Sequence, residues 1–270
     1  MSAYRVIGPL VALVAASCVG TPPANPSGDA RVLDTALPLD APAIDAPAVP
    51  TCHIADATWL PERNQYLVFT TTGRVLFLDA AGRIITDKAF ADYSGMSKVC
   101  ASTAGNCRID AVSFRPLGAP ADGRGLVQIV ANSRLWNLEQ TLIHTGDSPL
   151  SSISGMQLGP CAGLVECHID SFMWREDMQQ YFVIGKGQLY VLGPNGEAVS
   201  SAAIRSNAAL AAGPCASQAG DCHLDAVMHR PPLVQIVYQT MLYNFNADTL
   251  VADGPPGRLG DLPGLASYCQ

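Results

Sequence analysis

Four short phrases carry the residues that most readily do chemistry. "CHIADATW" (52–59), "CRIDAVSF" (107–114), "CHIDSFMW" (167–174) and "CHLDAVMH" (222–229) each open on a cysteine followed by a basic side chain: His53, Arg108, His168 and His223. Three of them place an aspartate two residues further on, Asp110, Asp170 and Asp225, while the first has Ala55 there and Asp56 one place later. Three imidazoles at equivalent positions suggest a site for zinc or a similar ion. Arg108 in the remaining place opposes it, because a fixed positive charge repels a bound cation. The expected role of His53, His168 and His223 is therefore hydrogen bonding and not metal binding. The aspartates lie on the same strand face as the histidines, and their expected role is to anchor turns by accepting backbone amides.

Other catalytic patterns are missing. The chain has no G-x-S-x-G elbow, no H-E-x-x-H and no phosphate loop. A cysteine nucleophile needs a free thiolate, and paired, oxidised cysteines have none. His144 and His229 stand apart from any such pattern. Charged residues make up 14% of the chain and the net charge is −7, so no basic surface exists for nucleic acid. The expectation is a protein that is not an enzyme.

The elements that must position these phrases follow each of them in turn. "YLVFTTTGRVLFL", "LVQIVANSRLWNL", "YFVIGKGQLYVL" and "LVQIVYQTMLYNF" are each two short β-branched and aromatic runs around a small or polar turn. That is hairpin chemistry. A variable segment then leads to the next cysteine, and no amphipathic helix is expected after residue 52. A period of about fifty residues with three or four strands marks a propeller blade. A β-sandwich would hold similar strands, but fourfold recurrence of Cys-x-[Ile/Leu] favours a ring. The predicted fold is all-β, a four-bladed β-propeller over 51–270 with blades at about 52–100, 107–161, 167–215 and 222–269.

Ahead of it, "MSAYRVIGPLVALVAASC" has one positive charge, an apolar run and small residues before Cys18. Residues 1–17 read as a signal peptide. "VAASC" resembles a bacterial lipobox, which makes Cys18 the lipidation site. Residues 18–50, rich in Pro, Ala and Asp, form a semi-extended tether, similar to the spacers of myxobacterial surface lipoproteins. Val19 after the lipidated cysteine implies the outer membrane. The chain is thus expected at the cell surface, joined to the membrane by its lipid and monomeric.

Eight cysteines remain, an even number that suits four disulfides in an oxidising compartment. Two pairings respect the repeat. One closes each copy on itself: 52–100, 107–161, 167–215 and 222–269. The other staples the junctions, Cys100–Cys107, Cys161–Cys167 and Cys215–Cys222, and leaves Cys52 to Cys269. Chain entropy does not separate them: a loop near fifty residues removes roughly 4 kcal/mol of unfolded-state freedom and one near eight roughly 2.5. If the ring closes, Cys269 and Cys52 meet at a fourth junction, and the second pairing is preferred.

"IDAVSF", "IDSFMW", "LDAVMH" and the hairpin "YFVIGKGQLYVL" are similar to the hemopexin-like repeat, over residues 52–269. The resemblance implies a four-bladed ring closed by a disulfide between first and last blades. It also implies a central tunnel in which main-chain carbonyls of the residue after each aspartate hold a cation. Those residues are Ala111, Ser171 and Ala226, beside Asp110, Asp170 and Asp225, with Asp56 the weakest match. Trp59, Phe114, Trp174 and His229 are expected to pack between blades, a sugar-stacking platform being the alternative. The predicted function is binding or scaffolding of a protein or glycan through variable segments at 117–125, 145–160 and 253–267. The alternatives are an ion- or haem-associated protein and an extracellular glycan-active enzyme, which would need carboxylates clustered at one mouth of the ring.

Overall fold

The structure is a computed structural model that describes residues 52–101, 107–117 and 124–269. The expected signal peptide, Cys18 and the tether lie outside the described residues, as do 118–123 of the first variable segment.

Among the described residues, sixteen strands form four antiparallel four-stranded sheets, each built of consecutive strands. Blade one holds β1 (Ile54–Leu60), β2 (Gln65–Thr70), β3 (Arg74–Asp79) and β4 (Ile84–Ala89). Blade two holds β5 (Ala111–Pro116), β6 (Gly125–Ala131), β7 (Arg134–Glu139) and β8 (His144–Pro149). Blade three holds β9 (Ser171–Arg175), β10 (Gln180–Gly185), β11 (Gln188–Leu192) and β12 (Ala198–Ala203). Blade four holds β13 (Ala226–Arg230), β14 (Leu233–Tyr238), β15 (Met241–Asn246) and the two-residue β16 (Gly257–Arg258). The phrase strands β1, β5, β9 and β13 neighbour one another in a closed cycle. The fold is a four-bladed β-propeller.

The hairpins form where the sequence places them because their turns match the strand twist. β6 and β7 are joined by Asn132-Ser133 and β10 and β11 by Lys186-Gly187, both residues of each pair at positive φ. Such two-residue turns carry the right-handed twist of the flanking strands. The middle strands read as near-continuous apolar runs because both faces are covered by neighbouring blades. In β2, Tyr66 to Thr70 are all buried, whereas every residue of β12 on the outer rim is exposed. The core is accordingly four clusters, one in each gap between blades.

One expectation is corrected. Helices do occur after residue 52: α1 (Ser94–Ala101), α2 (Ser154–Leu158) and α3 (Ala208–Ala212). Each is short, follows a 3-10 turn anchored by one buried side chain (Phe90, Leu150, Ile204), and delivers the chain to the junction cysteine. At Leu259 the same anchor recurs without a helix. Gly95, Gly155 and Gly264 donate their N–H groups to the next blade, to the carbonyls of Leu142, Gly196 and Gly82. A Cβ on Gly155 would sit 2.6 Å from that carbonyl oxygen, so only glycine allows the approach.

Disulfides join Cys100 to Cys107, Cys161 to Cys167 and Cys215 to Cys222, and Cys52 to Cys269 across a sequence separation of 217. Cys52 and Cys269 also face each other as an isolated antiparallel bridge, so the last segment of the chain closes onto the first blade.

Candidate functional site

At the axis, one residue from each inner strand is completely buried: Asp56, Ala111, Ser171 and Ala226. Asp56 therefore stands where the other copies have a small residue, one place beyond their aspartates. Its Oδ1 accepts from the Ala57 amide at 2.7 Å, and its Oδ2 from the Val112 amide at 2.5 Å and the Ser171 hydroxyl at 3.3 Å. The Ser171 Oγ in turn accepts from the Val227 amide at 2.9 Å. One carboxyl and one hydroxyl thus tie blade one to two, three to four and one to three. Burial pushes the Asp56 carboxyl well above the ordinary carboxylate range, although the Val112 and Ala57 amides and Ser171 pull the other way. Asp56 makes no ion pair among the described residues.

These donors suit the hard cation that the hemopexin-like resemblance implies: a carboxylate and a hydroxyl supply oxygen ligands, and a cation would neutralise the buried charge. Asp56 and Ser171 would hold it with side-chain oxygens, while Ala111 and Ala226 have only main-chain carbonyls to give.

At one mouth of the ring, basic residues reach back to aspartates of the preceding blade. His168 Nδ1 lies 2.9 Å from Asp110 Oδ2, and His223 Nδ1 lies 3.2 Å from Asp170 Oδ2. Arg108 has Ala55 in the equivalent preceding position and pairs with its own Asp110 at 2.9 Å. Asp225 accepts from the Gln239 amide of its own blade at 2.5 Å. Neighbours burying Asp170 and Asp225 raise both carboxyls. His168 and His223 thus serve different aspartates, while His53 joins blade ends through its backbone, its N–H donating to the Tyr268 carbonyl. No group of three or more His, Cys, Asp or Glu able to hold a metal occurs among the described residues.

At the other mouth, Trp59, Phe114, Trp174 and His229 converge on a pit of about 40 Å³, small for a sugar ring. The three aromatic side chains are buried. His229 is lowered to about 4 by burial first and by the Arg175 charge second. His144, which stands alone in the sequence, contacts Asp147 at 3.2 Å and packs on Trp136.

The strongest polar feature between blades was not read from the sequence. Between blades two and three, Arg115 Nη1 donates to the Tyr181 hydroxyl at 2.8 Å. Tyr181 donates to Gln128 Oε1 at 2.9 Å, and Gln128 Nε2 donates to Asn137 Oδ1 at 2.9 Å. The guanidinium lies over Trp174, 4.6 Å from the ring centroid. Between blades four and one the same relay recurs: Arg230 donates to Tyr66, Tyr66 to Gln235 and Gln235 to Asn244, with Arg230 4.5 Å over Trp59. The signal was present in the alternation of copies. "LVQIV" is identical in copies two and four, which also share Arg-Pro, whereas Trp and Tyr recur in copies one and three.

The two interfaces share a relay and differ in space. Between blades two and three a cleft of about 390 Å³ opens beside Arg115, Gln128 and Tyr181. At the equivalent place between blades four and one only about 30 Å³ is left, with Leu259, Leu262 and Leu265 packed into the gap. The open cleft takes Ser148, Leu150, Ile153 and Met156 from the variable segment at 145–160. The filled one takes its three leucines from 253–267. The linings also differ at the inner strand, where Phe172 stands in place of Ala57.

No family model matches the chain, and no curated protein matches it in sequence. Solved structures do match in shape. A hemopexin fold protein, CP4, from cow pea superposes with a TM-score of 0.60 at 15% identity, over 80% of this chain and 98% of its own. A plant lectin with two metal binding sites from Cicer arietinum gives 0.60 at 14% identity, over 79% and 97%. LS24, a seed albumin from Lathyrus sativus, gives 0.58 at 14% identity, over 80% and 96%. At such identities the likeness is one of fold, and that fold is the four-bladed propeller of hemopexin-fold proteins.

Proposed function

We propose that the chain is an exported binding protein, held at the cell surface by a lipid on Cys18, whose propeller is a rigid frame for a ligand cleft between blades two and three. The observation that carries the reading is the unequal pair of interfaces. Two relays of the same residues cross the molecule, and only one has about 390 Å³ of mostly apolar space beside it. That volume falls in the range of small-molecule sites, which are apolar with a few convergent polar groups. Four disulfides support an oxidising compartment. A protein that is not an enzyme fits the carboxylates at the mouth of the histidines, since Asp110 and Asp170 are already engaged by Arg108, His168 and His223. Beside His229, where Glu176, Asp177 and Asp248 line a cavity, Asp177 is engaged by Arg175.

The test is the thermal unfolding midpoint of the Cys18→Ser full chain across a panel of small apolar molecules. At least one class should raise it, and Leu135→Trp, which fills the cleft, should abolish the rise. A panel without effect on either protein overturns the reading. The cellular address is read separately, from loss of the membrane fraction on Cys18→Ser.

A second reading, a cation in the channel, is favoured by the buried Asp56 carboxyl, which has no ion pair among the described residues. Elemental analysis of the purified chain reads it, and a metal-free protein that takes up none on dialysis counts against it.

A further inference from the structure

We infer that the cleft between blades two and three takes an apolar monoanion, a carboxylate on an aliphatic chain, with Arg115 as the group that selects the charge. The inference rests on the reading of this cleft as a binding site and names what enters it.

Arg115 is half-buried at the cleft, and no carboxylate lies within ion-pair distance of it among the described residues. One guanidinium N–H goes to Tyr181 and one face covers Trp174. The remaining donors form a fork suited to a carboxylate. Gln128 and Tyr181 are spent on each other and on Asn137, so they fix the guanidinium and present little polarity of their own. Beyond this corner the walls are mostly apolar, Leu135, Leu150, Met156 and Leu192 among them, with Ser148 and Asn195 the other polar side chains of the lining. The apolar walls reward apolar area removed from water, and Arg115 is the cation of the lining.

The interface between blades four and one is the internal control. Arg230 makes the same stack and the same hydrogen bond to a tyrosine, without a carboxylate partner among the described residues, and the gap beside Tyr66 is closed in by leucines. The relay therefore holds blades together wherever it occurs. Of the two relay arginines, Arg115 is the one that lines a cavity of such size.

Calorimetric titration of the Cys18→Ser full chain with decanoate, decanol, decylamine and acetate, each below its micelle-forming concentration, tests this. Decanoate should bind at least tenfold tighter than decanol, and decylamine and acetate should give no saturable binding. Arg115→Met should erase the preference of decanoate over decanol. Arg230→Met, which removes the same stack at the filled interface, should leave it intact and shows that a loosened ring is not the cause. Equal affinity for decanoate and decanol, or a preference that survives Arg115→Met, overturns the choice of an anion while the cleft remains a binding site. Failure of all four probes, with a panel of neutral molecules still raising the unfolding midpoint, does the same. Failure of both probes and panel removes the cleft reading as well.

Discussion

Among the buried polar side chains of this ring, Asp56 and His229 carry pH signatures of opposite sign. Asp56 is raised because its carboxylate has left water for an axis with no cationic partner among the described residues. A carboxyl whose folded pKa lies above its unfolded value binds more protons when folded, so its contribution to stability falls as pH rises from the ordinary carboxylate range. His229 acts in the opposite sense. Lowered to about 4, it stays neutral in the fold while the unfolded chain takes up a proton below about 6.5. Its contribution is therefore complete above 6.5 and is lost as pH falls towards 4. Between pH 4 and 6.5 the two oppose each other in the natural chain. Asp170 and Asp225 act in the same sense as Asp56, so the variants are read against the natural chain. On acidification across this window His229→Gln should gain stability relative to it, and Asp56→Asn should lose stability relative to it. Urea unfolding at several pH values reads both, and parallel profiles in the two variants would refute the assignment. Little of this was legible beforehand. The phrase containing Asp56 stood out as an imperfect copy, but only the closed ring shows that the shift by one residue points a carboxylate at the axis.

At the scale of elements, the hairpins could be read because β-branched runs around Asn-Ser or Lys-Gly turns have a local cause for their shape. The helices could not. α2 and α3 have five residues each, too few to show a 3.6-residue period. Their role is to seat one apolar side chain, Met156 or Leu210, and carry the cysteine to the next blade. A different trace of them exists, in "SGM" at 94–96 and 154–156 and "PGL" at 263–265. In each, the glycine crosses to a carbonyl of the neighbouring blade. The Arg–Tyr–Gln–Asn relays escaped for a related reason: comparing four copies together hides a pattern that alternates between odd and even ones. Gly155→Ala should destabilise the protein by about 1–3 kcal/mol, the usual cost of overpacking, because its Cβ would meet the Gly196 carbonyl and the Leu192 side chain. Gly146→Ala, at a position on β8 with open space around it, should cost far less. Equal midpoints in denaturant for the two variants would show that the seam relaxes freely.

For the whole molecule, the question is why a ring with four stacked interfaces also needs four disulfides. Three of its seams are crossed by the chain itself, so their cysteines close loops of only six or seven residues. In the chain-entropy model each such staple removes about 2.4 kcal/mol of unfolded-state freedom. The fourth seam, between blades four and one, has no chain running through it from one blade to the next. Cys52–Cys269 supplies that connection over a separation of 217 residues, for which the same model gives about 5 kcal/mol. This seam is also the one whose gap is filled by Leu259, Leu262 and Leu265, so apolar packing and covalent closure fall together where the chain offers least. The cleft that we propose for a ligand lies at a seam of the other kind, held by the Cys161–Cys167 staple and the continuous chain, where packing is left incomplete without the ring opening. The paired variant Cys52→Ser/Cys269→Ser should therefore lose roughly twice as much stability as Cys161→Ser/Cys167→Ser, measured by urea unfolding. Hydrogen exchange should show the loss concentrated in β1 and β13 for the first pair and in β5 and β9 for the second. Equal losses with uniform exchange would mean that the ring holds its closure by packing alone, and that the bond between its ends is not what keeps the last blade beside the first.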